Sequence, residues 1–330
     1  MFSLERNNMV KDLQTEGIRQ LVYHCGNVRE NERVLVVSNK ETKFIGELIV
    51  DEAITITANI LHHTIDSLRM HGQEPPDPTA SAMHTADVIF GMTLMSMAHT
   101  EARMRASLNG ARYLSLPGYN IDVLSSDALR TDFKKLTTTA EKLGDRLEHG
   151  NIINIYSKKG TDLQIDVKNR VANIAPGWCD GPGTLASPPD AEVNIAPNEE
   201  KSNGVIVVDG SIPCNEIGLL NNDIILEIKN GSVKNISGDK KEILEGLFEN
   251  SGSKKSKIIG EFGIGLNPNA ELCGMMLPDE GCLGTVHFGI GSNFTIGGNN
   301  KVSFHLDHVI KNPSFLIDGL MIMDEGTLII

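Results

Sequence analysis

The stretch Arg33-Val-Leu-Val-Val-Ser38 is a short apolar run with no polar residue alternating through it. A strand of that kind is buried on both faces, as in a parallel sheet covered by helices. Working outward, residues 4–25 and 43–58 read as amphipathic helices, while 60–66, 87–93 and 111–116 read as further strands, the last ending at Pro117-Gly118. This alternation predicts an α/β fold with an open parallel sheet in an N-terminal domain. Its ligand-facing edge is then the carboxyl ends of the strands. No Gly-x-Gly-x-x-Gly follows any of these strands, so nothing favours a dinucleotide.

One more helix is expected over 122–149, and then the pattern changes. From residue 151 short alternating runs are punctuated by Gly, Asn and Pro, the mark of mainly antiparallel β structure. Residues 152–156 and 162–167 form an expected hairpin. Residues 224–229 and 233–236 flank Asn230-Gly231, a strong hairpin turn signal, and one helix is expected over 240–249. The expected division is an α/β domain over 1–148 and a β-rich (α+β) domain over 149–330.

The 330 residues hold 30 basic and 43 acidic side chains, a net charge of −13, and 40% hydrophobic residues. A chain of this kind buries a sizeable core and is not disordered. Its charge opposes nucleic acid and anionic membranes as partners. Glu5 and Arg6 interrupt the place where a secretory signal carries its apolar stretch, and no run is long enough to span a bilayer, so the chain reads as cytoplasmic. Cys25, Cys179, Cys214, Cys273 and Cys282 are widely spaced and never form Cys-x-x-Cys, which indicates neither a disulfide framework nor a zinc ribbon.

The chemistry-bearing residues gather in the second domain. His305 and Asp307 are two apart in an expected strand and should share a face, with His308 on the other. An imidazole and a carboxylate so placed make a compact metal-binding pair. His287 ends Leu283-Gly-Thr-Val-His287 beside Gly289, Gly291, Gly297 and Gly298, and glycines let other groups approach closely. Glu261 is the lone acid in the apolar, Gly-rich run 258–268. Buried alone it would cost several kcal/mol, so a cation or basic partner is expected beside it. Glu192, in Ala191-Glu-Val-Asn-Ile-Ala-Pro197, repeats the situation. His62 and His63 in a strand, and His84 in the loop before Asp87, read as structural or surface residues.

Those stretches, with Gly204-Val-Ile-Val-Val-Asp-Gly-Ser211, resemble the aminopeptidase T type of metallopeptidase in order and context. The resemblance implies metal ligands at Glu192, Glu261, His287, His305 and Asp307. It also implies two zinc, cobalt or manganese ions, a homodimer, and a hydrolase acting on a short peptide or other small amide. In that reading a metal-bound hydroxide attacks the carbonyl and Glu192 or Glu261 manages the proton. One departure is the tyrosine that such peptidases carry shortly after the His matching His287; Phe294 stands near that place.

The first domain resembles another branch, the 2,5-dihydroxypyridine 5,6-dioxygenases, over Met97-Ala-His-Thr-Glu-Ala-Arg-Met-Arg-Ala106 and Gly110-Ala-Arg-Tyr-Leu-Ser-Leu-Pro-Gly118. His99 would stand at a helix start as an acid or base, with Thr100 and Arg103 binding substrate. Under this alternative the chain is a ring-cleaving dioxygenase with one Fe(II), for which His287, His305 and Asp307 could supply two His and one carboxylate. That branch carries a histidine in the stretch matched by Glu261. A third alternative is a family member that binds metal without catalysis.

Overall fold

A computed structural model describes residues 12–330. Residues 4–11 of the first expected helix lie outside the described residues. The backbone is helical over 12–19 and runs into a wider π-turn at Gln20–Cys25. The chain divides into two compact units: residues up to Lys134 with Gly177–Pro189, and Lys135–Pro176 with Asp190–Ile330.

The first unit is an α/β layer. Strands β1 (Val34–Ser38), β2 (Ile60–Thr64), β3 (Val88–Met92) and β4 (Arg112–Ser115) pair in parallel in the order β2-β1-β3-β4. All residues of β1 and β3 are buried, as their unbroken apolar character requires. Helices Lys43–Ala53, Asp77–Thr85 and Glu101–Leu108 alternate with these strands. His84 lies in the last turn of the second helix, not in a loop as expected; Pro76 and Pro78 sit at its start, where a missing N–H is harmless. The expected helix over 122–149 is three pieces, Ile121–Leu124, Asp127–Arg130 and Phe133–His149. Ser126 Oγ donates to the Val123 carbonyl at 2.8 Å, giving the chain a local alternative to continued helix.

The next strands, β5 (Ile152–Tyr156), β6 (Asp162–Asp166) and β7 (Ala172–Ala175), belong to the second unit, after which β8 (Leu185–Ala186) joins β4 in the first. The rest of the second unit comprises β9 (Glu192–Ile195), β10 (Asn203–Val208), β11 (Ser211–Ile212), β12 (Gly218–Leu219), β13 (Ile224–Lys229) and β14 (Ser232–Gly238), followed by β15 (Phe262–Gly265), β16 (Thr285–Gly291), β17 (His305–Lys311), β18 (Ser314–Ile317), β19 (Leu320–Asp324) and β20 (Thr327–Leu328). They form two antiparallel sheets, one of eight strands in the order β14-β13-β10-β6-β5-β18-β19-β20 and one of seven in the order β12-β11-β17-β16-β15-β9-β7. Both expected hairpins are present. Asn230 and Gly231 take φ of 50° and 70° between β13 and β14, the left-handed pair that matches strand twist.

The seven-stranded sheet explains where a site can form. Phe262 on β15 contacts Phe288 on β16 at a 5.6 Å ring separation and meets Phe315, on β18 of the other sheet, edge-on at 5.4 Å. These rings, with Ile264, Val286 and Ile290, fill one face of the sheet. Alternation at period two then sends Glu261, Gly263, Gly265, His287 and Gly289 to the opposite face.

Candidate metal centre

Pairing brings the donors together on that opposite face. Gly265 pairs with Glu192, Gly263 with His287, and Gly289 with Asp307, so residues from four strands occupy neighbouring positions. Two triads of ligand atoms result, each within 4.8 Å: Glu192–Glu261–His287 and Glu261–His305–Asp307. Glu261 belongs to both. His287 therefore falls with the two glutamates and not with His305 and Asp307. The compact group around His305 contains one imidazole and two carboxylates, and His287 adjoins it through Glu261.

The glycines create the space. A β-carbon on Gly263 would stand 2.0 Å from His287 Nε2, and one on Gly289 would stand 2.6 Å from His305 Nε2 and 2.8 Å from the Glu261 Cβ. Each imidazole thus lies across a glycine of the adjacent strand and reaches the carboxylates beyond it.

His305 Nδ1 lies 2.8 Å from the Ser292 carbonyl, which fixes that nitrogen as the donor and leaves Nε2 for the centre. Nε2 is 3.2 Å from both Glu261 Oε2 and Asp307 Oδ1. On the other side His287 Nε2 is 3.0 Å from Glu192 Oε2 and 3.8 Å from Glu261 Oε1. Yet Glu192 Oε2 and His287 Nδ1 are buried without a hydrogen-bond partner among the described atoms. Buried polar atoms left over beside a carboxylate–imidazole pair fit a site built to receive a cation.

Electrostatics describe the same crowding. Burial raises the Glu261 carboxyl, but the adjoining His287 and His305 outweigh it and hold the group at about 2. Burial alone would lower both imidazoles; the surrounding carboxylates instead raise them well above the ordinary value. Glu192 is raised, chiefly by burial. His308 faces away, stacked on Phe248 at 6.5 Å, and burial pulls it down to about 4.

Three further polar residues belong to this neighbourhood and escaped the sequence reading. Asp190, 4% exposed with Oδ1 unpartnered, is raised by burial and then by Glu192. Glu280 is raised by burial and then by Asp307. Asn194 donates to Glu192 Oε1 at 2.7 Å. Asp190 and Asn194 each stand two residues from Glu192, which was the available signal for same-face neighbours; nothing local marks Glu280.

In the first unit His99 is exposed, beyond the carboxyl end of β3 and just before the helix Glu101–Leu108. Thr100 is the N-cap, accepting from the Arg103 backbone N–H at 3.2 Å and donating to the Met97 carbonyl at 2.8 Å. Arg103 Nε donates to the Ala98 carbonyl.

The fold and this donor set define a metal-binding protein with a parallel α/β unit and a unit of two antiparallel sheets. A profile of the family described as NicX, 2,5-dihydroxypyridine 5,6-dioxygenase, matches residues 17–330, and the chain belongs to that family. It is 26% identical over 259 residues to the 2,5-dihydroxypyridine 5,6-dioxygenase of Pseudomonas putida KT2440, covering 75% of this chain and 72% of the relative. Among solved structures, the 2,5-dihydroxypyridine dioxygenase from Pseudomonas putida KT2440 superposes with a TM-score of 0.82 at 22% identity, covering 96% of each chain. Wild-type AmpT from Thermus thermophilus superposes with a TM-score of 0.71 at 14% identity, covering 97% of this chain and 100% of that one. Both superpositions describe the fold.

The expected aminopeptidase-like hydrolase is overturned by the family match. What the chain shares with AmpT is the fold, and a scaffold does not set the reaction. Among the described residues no helix is long and apolar enough to cross a membrane.

Proposed function

We propose that this protein is an Fe(II)-dependent ring-cleaving dioxygenase acting on a small hydroxylated pyridine, opening the ring between positions 5 and 6. The family match over residues 17–330 carries the reading. The donor chemistry agrees with it: two imidazoles and three carboxylates, all buried except the part-exposed His305, converge into a set that a divalent transition metal accepts. Glu261, His305 and Asp307 would hold the iron, with Glu192 and His287 on its other side. Bound Fe(II) supplies the one-electron chemistry that lets a hydroxylated ring react with dioxygen.

The protein's own groups do the rest. Ser292 holds the His305 tautomer. Glu192 would join the donors through Oε2, which lies 3.0 Å from His287 Nε2. His99 is assigned as the acid or base because its exposed ring stands beyond the carboxyl end of β3, where ligands of open parallel sheets bind. Thr100 and Arg103 are assigned to substrate binding through the helix start they build.

The sharing of Glu261 between two triads favours a second reading of the metal count, in which the two triads would each hold one divalent ion of zinc, cobalt or manganese. Elemental analysis of anaerobically purified protein, paired with oxygen uptake on 2,5-dihydroxypyridine, tests both. About one iron per chain with stoichiometric oxygen consumption is expected. Two ions per chain would replace the single-iron reading, and no oxygen uptake by iron-loaded protein would sink the dioxygenase. We also propose a folding division at 148/149, tested by limited proteolysis, and a homodimer, tested by sedimentation.

A further inference from the structure

Asn173, Asn194, Gly263 and His287 occupy one row across four strands: Asn173 on β7 pairs with Asn194 on β9, Asn194 with Gly263 on β15, and Gly263 with His287 on β16. Side chains of paired residues lie on the same face of a sheet. Gly263 contributes none, and both the His287 ring and the Asn194 amide reach Glu192. His287 Nε2 stands 3.0 Å from Oε2, and Asn194 Nδ2 donates to Oε1 at 2.7 Å.

Asn194 is itself 6% exposed and cannot swing to solvent. Its Oδ1 accepts from Asn173 Nδ2 at 3.0 Å, which fixes the amide orientation so that Nδ2 faces Glu192. Asn173 Nδ2 also reaches the Ile296 carbonyl at 3.4 Å. The chain of contacts therefore runs from backbone through two amides to one oxygen of the glutamate.

We propose that Asn194, oriented by Asn173, is a positioning residue that engages Glu192 Oε1 and so presents Oε2 alone to the metal. The inference rests on Glu192 belonging to the metal centre. A free carboxylate can chelate through both oxygens or rotate away; one whose Oε1 already accepts a short hydrogen bond acts through a single oxygen. Carboxylates hydrogen-bonded behind a metal typically govern affinity by about 10–100-fold. Single-oxygen donation also disfavours Ca2+, which takes six to eight oxygen ligands and readily uses bidentate carboxylates.

The test is a double-mutant cycle read by Co(II) affinity under nitrogen, using full-length wild type, Asn194→Ala, Glu192→Ala and the double variant, each checked for folding by circular dichroism. Asn194→Ala should weaken Co(II) by about 10–100-fold. In the Glu192→Ala background the same substitution should change affinity by less than about twofold, because a residue acting through Glu192 has nothing left to act on. Equal losses in both backgrounds, or no loss in either, would overturn the proposal. If Glu192→Ala binds Co(II) as wild type does, it is the assignment of Glu192 to the centre that fails. Should Asn194→Ala not fold, Asn173→Ala carries the same cycle one contact further out, with a smaller loss expected only when Glu192 is present.

Discussion

The His287 imidazole lies across Gly263, so close that a β-carbon there would stand 2.0 Å from Nε2. The glycine is thus part of the centre, although it carries no donor atom. The same relation holds between His305 and Gly289 one strand further on. Neither glycine is among those with positive φ, so what is required at both positions is space and not a special backbone.

Gly263→Ala should therefore displace His287 while leaving the backbone conformation allowed. Overpacking of this kind costs about 1–3 kcal/mol, and metal affinity should fall by at least about tenfold. Denaturant melts and Co(II) titration measure the two effects. Full metal occupancy at unchanged affinity would show that the imidazole is not held where the structure places it.

Replacing His305 or Asp307 by alanine removes a donor from the triad with Glu261. Each variant should lose metal in elemental analysis and lose oxygen uptake by on the order of 10²-fold or more, since the remaining carboxylates are left facing one another without the full donor set. Activity surviving in metal-free Asp307→Ala protein would remove the centre from the reaction.

His62 predicts a pH effect in the first unit. Its Nε2 lies 2.7 Å from Ser38 Oγ, and burial lowers its pKa, with Lys43 and His63 adding to the effect against Glu47. The unfolded chain titrates near the ordinary value of about 6.5 and so binds more protons than the fold just below it. Stability from this group is present above about pH 6.5 and declines as pH falls towards the lower folded value. Urea melts of wild type and His62→Gln should therefore diverge only below about pH 6.5. Parallel curves down to pH 5 would count against the neutral, half-buried ring.

Arg112 forms a two-pronged pair with Glu32 at 3.0 and 2.7 Å, and its remaining donors reach the Gly26 and Asn27 carbonyls. With the Arg112 side chain 6% exposed, Glu32→Ala would leave a buried charge short of its partner. A loss on the order of 3 kcal/mol is expected in chemical denaturation. A change within about 0.5 kcal/mol would mean that water substitutes for Glu32.

Much of the architecture is legible residue by residue. The unbroken apolar runs of β1 and β3 announce strands covered on both faces, and the alternation of β13 and β14 around Asn230-Gly231 announces a hairpin, because each pattern follows from a side-chain period fixed by backbone geometry. The same period explains why His305 and Asp307 were readable as a pair and His308 as facing away. The strand β8 was not readable: two residues at Leu185–Ala186 pair with β4 some seventy residues earlier, and no local pattern specifies such a partner.

The sequence by itself determined which residues could serve a metal, since Glu192, Glu261, His287, His305 and Asp307 each stand out against apolar or Gly-rich surroundings. Only the tertiary structure decided how they group. Strand order and register set Gly263 opposite His287 and Gly289 opposite Asp307, which puts His287 with the two glutamates, lets Glu261 serve both triads, and draws in Asp190, Asn194 and Glu280. Distances between strands depend on hydrogen-bonded pairing among segments far apart in the chain, and side-chain spacing along any one strand does not encode that pairing.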